Sequence, residues 1–445
     1  MRSMRETNNQ LITRRSELLG EEYTLIKHKS GLDIFVAERD FAATYAVLGT
    51  RYGSFDNCFG IKGEGAPGEV PEGIAHFLEH KMFEMEDGRD AFEMYAETGA
   101  EANAYTSVDR TAYLFSCTDE FETNLRTLIT MVTNPYFTEQ TVKKEQGIIG
   151  EEIRMCEDRP GDALHYGLMR ALYREHPARI PIAGTVESIA EITPELLYRC
   201  HKTFYDPRNM ALCICGKVDV QQIIEIADEL LPMSAGYEIE RVTPSEPQEV
   251  NKPREIIEMQ VSKPMFSIGV KDTFSLRFPR LEGSHGAAVR ELLCEAMFSQ
   301  SSDLFSELYE AGAVGGYGAG YYTERDIALL NIYGDADDPE EVFGRFVEYA
   351  GRCAAEGVSE EQFIRARRTL YAQALRGFES SAEIAEELFD AFIDGEELLS
   401  AIEEIYSVTI DEVNALAREL LSPERYAMCV VKPIVDPIVE QKYPE

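Results

Sequence analysis

Along the chain, apolar positions recur with two periods, and the period changes at proline, glycine and acidic turn residues. TAYLFSCTDEFETNLRTLITMV, from Thr111, reads as an alternating strand that passes into a helix with apolar positions three and four apart. ALLNIYGDADDPEEVFGRFVEYA, from Ala328, repeats that order. EITPELLYRCHKTFYDPRNMALCICGKV, from Glu191, and SVTIDEVNALARELLSPERYAMCVVKP, from Ser407, align without gaps for most of their length. Ile192-Thr193 falls over Val408-Thr409, Asp206-Pro207 over Ser422-Pro423, and Ala211-Leu212-Cys213-Ile214 over Ala427-Met428-Cys429-Val430. In both copies a threonine is placed to cap a helix, an acidic residue follows in its first turn, and a proline closes the element before an apolar strand. TYAVLGTRYGS (from Thr44) and MFSIGVKDTFS (from Met265) are matching strands ahead of each copy's first helix.

These correspondences describe one unit used twice. They predict a solvated N-terminal lead-in over 1–16, a first domain over 17–235, a polar, proline-bearing linker over 236–254 and a duplicated domain over 255–445. The fold class is α+β, each domain a mainly antiparallel mixed sheet with helices packed on one face. A chain of 445 residues also exceeds what a single core sustains, so at least two domains are expected.

Composition narrows the functional classes. Forty-four per cent hydrophobic and 28% charged residues suit a folded soluble chain, and no run reaches the ~18 apolar residues of a membrane span. The arginine-bearing N-terminus lacks the apolar core of a secretory signal. A formal charge of -37 argues against nucleic acid, whose phosphates need a basic footprint, and would attract a basic peptide. Nine cysteines without a C-x-x-C pair read as buried thiols in a reducing, cytoplasmic compartment.

The candidate chemistry lies in EGIAHFLEHKMFEM, where His76 and His80 are four apart and Glu79 stands between them. On a helix, which Ile74, Phe77, Leu78 and Phe83 would pack against a sheet, that spacing puts both imidazoles on one face. The duplicate supplies a control: His76 falls over Leu292, His80 over Ala296 and Glu79 over Glu295, so the fold itself does not require the histidines. A catalytic metal ion usually takes three protein ligands. TEQTVKKEQGIIGEEIRMCEDRP, from Thr138, carries Glu145 and Glu152 two helical turns apart, and the duplicate has Ala366 and Gln373 there. Histidines and glutamates vanish together, as groups serving one ion would.

H-x-x-E-H is the inverzincin order, and with the downstream E-x6-E segment the chain resembles the pitrilysin or insulinase-like metallopeptidases, which include the mitochondrial processing peptidases. The resemblance runs over nearly the whole chain, through HFLEHKMF, TGAEANAYTSVDRTAYLF, KEQGIIGEEI and FYDPRNMALCICG, and the spacing from His80 to the glutamates is slightly shorter than usual in the family. It implies Zn2+ held by His76, His80 and Glu152, Glu79 as general base, Glu145 orienting a ligand, and an inactive second copy. It also implies a peptide substrate paired as an added strand along AEANAYTSVDRTAYLF, with Asn103, Ala104 and Tyr105 as contacts. An arginine and a tyrosine from the second domain grip the substrate in the family. Here Tyr317 approximates the tyrosine, and Tyr309 stands where arginine is expected. That departure leaves two readings, an enzyme with an altered substrate grip or the zinc-bearing half of a heterodimer whose homologous sister subunit supplies the pair, and the second is preferred. A non-catalytic binding or assembly subunit, and a zinc hydrolase acting on something other than a peptide, are the alternatives.

Overall fold

The computed structural model describes residues 9–272 and 283–434. The first half runs through β1 (Gln10–Ser16), β2 (Glu21–Lys27), β3 (Asp33–Glu38), β4 (Thr44–Thr50), β5 (Cys58–Ile61) and β6 (Gly68–Glu69), then α1 (Ile74–Lys81) and α2 (Ala91–Thr98). The hairpin β7 (Glu101–Thr106) and β8 (Thr111–Cys117) precedes α3 (Phe121–Thr133), α4 (Glu139–Glu157), α5 (Pro160–Leu172), the short α6 (Val186–Ile189), α7 (Pro194–Phe204), β9 (Met210–Gly216), α8 (Val220–Leu230) and β10 (Ile239–Arg241). The second half follows with β11 (Arg254–Met259), β12 (Met265–Asp272), α9 (Gly283–Phe298), α10 (Asp303–Glu310), β13 (Tyr317–Glu324) and β14 (Ile327–Asp335). It closes with α11 (Pro339–Glu356), α12 (Glu360–Arg376), α13 (Ser381–Asp394), α14 (Leu398–Ser407), α15 (Ile410–Leu420) and β15 (Tyr426–Pro433).

Two sheets repeat one topology. The first is ordered β1-β2-β3-β9-β4-β8-β7, with only β3 and β9 parallel. The second is ordered β11-β15-β12-β14-β13, with only β11 and β15 parallel. Both the duplication and the α+β class therefore appear in the pairing itself. Thr193 and Thr409 cap α7 and α15 through their side chains, as their place in the repeat predicts.

The compact units, however, are not contiguous halves. One comprises the chain up to Ile153, Ile180–Thr243 and Ala372–Glu403; the other comprises Arg154–Arg179, Pro244–Tyr371 and the chain from Glu404. In the first unit the main helical layer lies on one sheet face, where Ile34, Leu48, Tyr113, Phe115 and Leu212 meet Phe77, Leu128 and Leu197 in a single core. The opposite face is covered by α13 from the second half of the sequence, with Phe389 fully buried and Phe392 set 6.3 Å from Phe35. Gly49 makes this possible, since a Cβ there would stand 2.1 Å from the Phe389 ring. In the second unit α5, from the first half, does the same for β11, β12 and β15: a Cβ on Gly269 would meet Leu172 at 2.8 Å, and one on Gly167 would meet Cys429 at 2.4 Å. Strands covered on both faces lose the polar alternation, so all seven residues of β9 are buried.

Two expectations need correction. Within the expected lead-in over 1–16, Gln10–Ser16 is a strand paired along its length with β2; its side chains are mostly exposed, but its backbone groups find partners in the sheet. Residues 1–8 lie outside the described residues. Within the expected linker over 236–254, Ile239–Arg241 pairs with β5, and Arg241 reaches buried Asp56 at 2.8 Å. Farther on, Glu246 accepts from the backbone amides of Arg174, Glu175 and His176 and from Lys271 at 2.7 Å, which fixes a stretch that composition marks as loose. The last three residues of MFSIGVKDTFS and the C-terminal residues 435–445 also lie outside the described residues.

Candidate metal centre

α1 begins at Gly73, whose φ of 86° is left-handed; a Cβ there would stand 2.3 Å from the Ala183 carbonyl oxygen. Ile74, Phe77 and Leu78 bury one side of the helix and leave His76 and His80 on a partly open side, their ring centroids 4.6 Å apart. α4 is anchored by Val142, Ile149 and Ile153, and presents Glu145 and Glu152 toward the histidines.

His76 Nε2 lies 3.6 Å from one oxygen of Glu152, and His80 Nε2 lies 3.6 Å from the other. These separations exceed hydrogen-bond length, yet one donor atom from each of the three residues falls within 4.8 Å of the others. Donors about 2.0–2.2 Å from a tetrahedral ion are about 3.4 Å apart, so two nitrogens and a carboxylate oxygen at this spacing suit zinc. Burial, helped by the charge of His80, lowers the His76 pKa to about 4 and keeps that ring neutral, with a lone pair to offer. Its buried Nδ1 has no hydrogen-bond partner among the described residues.

His80 differs. Its Nδ1 is 3.1 Å from Glu145 Oε1. Burial opposes the charged ring, but the Glu145 hydrogen bond and the carboxylates of Glu79, Glu145 and Glu152 outweigh it and raise the pKa. Burial would likewise raise the Glu145 pKa, yet the partnership with His80 leaves it lowered. An ionised Glu145 that accepts the Nδ1 proton leaves Nε2 as the ring's donor atom.

Glu79 is only 7% exposed, and burial raises its pKa against the opposing hydrogen bond from Thr106. That bond, Thr106 Oγ1 to Glu79 Oε2 at 2.6 Å, comes from the last residue of β7. Thr106 was not singled out in the sequence, where a threonine closing a strand has no distinguishing spacing.

β7 is the terminal strand of its sheet. Asn103 is exposed and turns its Oδ1 to the Ala104 amide at 2.9 Å. Ala104 is half-buried. Tyr105 is committed elsewhere: its hydroxyl donates to Glu386 Oε2 at 2.8 Å, and Tyr45 donates to the other oxygen at 2.6 Å. Glu386 sits on α13, about 280 residues away in sequence, so no local pattern could reveal it. Tyr317 belongs to the other compact unit, where it is 3% exposed with its hydroxyl 3.1 Å from Ser302 Oγ. Tyr309 in that unit is exposed and stacks on Phe305. At the duplicate's corresponding positions Leu292, Ala296 and Ala366 are fully buried, so apolar packing fills the places of His76, His80 and Glu145, while Gln373 in the place of Glu152 is exposed.

Residues 65–186 match the family model described as Insulinase (Peptidase family M16), and residues 191–370 match Peptidase M16 inactive domain. A Bacillus subtilis protein named uncharacterized zinc protease YmfH is 39% identical over 413 residues, covering 92% of this chain and 96% of that protein. The structure of an M16-like peptidase from Alicyclobacillus acidocaldarius superposes with a TM-score of 0.86 at 31% identity, over 97% of this chain and all of the other. Pitrilysin shares the fold at 15% identity and a TM-score of 0.76, with 96% of this chain covering 47% of that one.

Proposed function

Because the chain belongs to the insulinase family, peptidase M16, we propose that it is a zinc-dependent endopeptidase acting on peptides or unfolded segments held as an added β-strand. The convergence of His76, His80 and Glu152 donor atoms within 4.8 Å carries this reading. Those three residues would hold the ion. When bound, zinc supplies Lewis acidity toward a water molecule and the scissile carbonyl.

The remaining steps belong to the chain's own groups. Glu79 takes a proton from the attacking water and delivers it to the leaving amine; its burial, which raises its pKa, makes it a better proton acceptor than an exposed carboxylate. Glu145 holds His80 at Nδ1 and keeps the opposite nitrogen available. The unpaired edge of β7 offers backbone donors and acceptors to an extended peptide, with Asn103 and Ala104 on the strand that would receive it. Tyr105 supports that strand through Glu386.

With Tyr309 in the place of an arginine and Tyr317 buried, neither supplies a charged clamp, which favours pairing with a homologous sister subunit. Nine cysteines without a C-x-x-C pair suit a cytoplasmic setting. No helix among the described residues is long and apolar enough to cross a membrane. The alternative, a non-catalytic assembly subunit, would be relieved of the need to keep His76, Glu79, His80 and Glu152. Elemental analysis combined with a peptide-library digest, alone and with a co-expressed family partner, tests the proposal. One zinc per chain and chelator-sensitive cleavage support it; stoichiometric zinc without cleavage in any pairing refutes it.

A further inference from the structure

Glu79 is a buried carboxylate with one hydrogen bond among the described residues, accepted from Thr106. The hydroxyl donates, because an ionised carboxylate can only accept, and Glu79 Oε2 at 2.6 Å is much nearer to Thr106 Oγ1 than its other neighbour, Thr111 Oγ1 at 3.4 Å. Thr111 gives its own proton to the Tyr52 carbonyl at 2.8 Å. Glu79 Oε1 keeps no hydrogen-bond partner among the described residues.

The donor is also rigid. Thr106 and Thr111 form the last pair of the β7–β8 hairpin, whose tip closes through the Ser107 amide to the Arg110 carbonyl at 2.8 Å. Ser54 and Phe55 amides hold the tip from outside, at 3.1 Å on Ser107 and 2.8 Å on Val108. Gly53 lets the chains approach, since a Cβ there would stand 2.4 Å from the Asp109 nitrogen. A β-branched side chain on such a backbone has few rotamers.

The duplicate again serves as a control. Thr323 pairs with Ala328 as Thr106 pairs with Thr111, and Glu295 holds the place of Glu79. There the threonine is exposed and the glutamate's hydrogen bond is with Ser299, just past the end of its own helix. Among the described residues the threonine–glutamate bond is made only in the copy that has the candidate ligand set.

We propose that Thr106 is a positioning residue: its hydroxyl, fixed at the end of the strand that would take the peptide, pins one oxygen of Glu79 and leaves the other for proton transfer. This rests on the peptidase reading for its kinetic consequence, while the hydrogen bond itself can be tested without it. A carboxylate free to rotate away spends less time within reach of the reacting proton, so turnover falls while binding does not.

The test compares Thr106→Val, which keeps the shape, with Thr106→Ser, which keeps the hydroxyl, in the full zinc-loaded chain with whatever partner supports its cleavage of a quenched fluorescent peptide. Thr106→Val should lower kcat about 10-fold, with KM and zinc content within twofold of wild type, and Thr106→Ser should stay within about threefold in kcat. Unchanged kcat in Thr106→Val, equal defects in both variants, or loss of zinc in Thr106→Val would each overturn the proposal. In metal-free protein, the Glu79 carboxylate stretch, taken as the infrared difference against Glu79→Gln, should shift in the Thr106→Val background and not in Thr106→Ser. An unshifted band overturns the proposal even if no peptide is ever cleaved. If Thr106→Val does not fold, the same measurements on Thr106→Ala decide.

Discussion

The seat of α13 on the first sheet can be tested by pairing two substitutions that are each harmful and together less so. Phe389 is fully buried, and its ring occupies the space left by Gly49. Phe389→Ala leaves a cavity between sheet and helix and should cost about 3–5 kcal/mol. Gly49→Ala forces a methyl to within 2.1 Å of that ring and 2.9 Å of the Thr111 carbonyl oxygen, an overpacking that should cost about 1–3 kcal/mol. In the double variant the methyl enters the cavity, so the ring clash disappears and only the approach to Thr111 remains. The loss should then fall short of the sum by at least about 1 kcal/mol. The chain has no tryptophan, so urea unfolding is best followed by circular dichroism. Phe389→Ala should lower the melting temperature of this unit by about 6–20 °C, at 2–4 °C per kcal/mol for a unit of this size. Additive or more than additive losses would mean that the two residues do not face each other, and the assignment of α13 to this sheet would fail.

Glu79→Gln should retain zinc, by elemental analysis, and lose about 10²–10⁴-fold in kcat; near-normal turnover would remove Glu79 as the base. Glu145→Gln weakens the hold on His80 and should weaken zinc affinity about 10–100-fold in competition with a chelator, with Glu145→Ala no milder. Excess zinc added to metal-free protein should raise the melting temperature of the unit bearing His76 and leave the other transition in place. His285 contacts Glu404 at 2.9 Å and Glu412 at 3.1 Å; partial burial opposes its charge, but these carboxylates prevail and raise its pKa. A raised folded-state pKa stabilises fully below the unfolded value of about 6.5 and loses that contribution as pH rises through the folded value. Since these groups are partly exposed, the effect should be at most about 1 kcal/mol, and His285→Gln should flatten the pH dependence of urea unfolding in that range.

The duplication was legible because both copies keep caps, turn prolines and apolar strands at matching offsets, features set by local chemistry. The helix of the candidate ligands was legible because two histidines disappear from the second copy at positions the fold fills with Leu292 and Ala296. What stayed hidden depends on partners distant in sequence. The exchange of α5 and α13 leaves no local mark, since a helix is amphipathic whichever sheet it covers. Its traces are indirect: small Gly49 and Gly269 in otherwise bulky strands, and the continuous apolar run of β9. Gln10–Ser16 looked like a solvated lead-in because an edge strand satisfies its backbone while leaving its side chains in water. Thr106 and Glu386 carry hydrogen bonds that only the folded chain brings together.

The exchange of helices sets a schedule for synthesis. When a ribosome has polymerised residues 1–243, every candidate zinc ligand has been made, but the apolar underside of their sheet still lacks the helix that shields it from water. That cover arrives only with Ser381–Asp394, so the nascent half that bears those candidate ligands must wait, exposed or chaperoned, until α13 has been made.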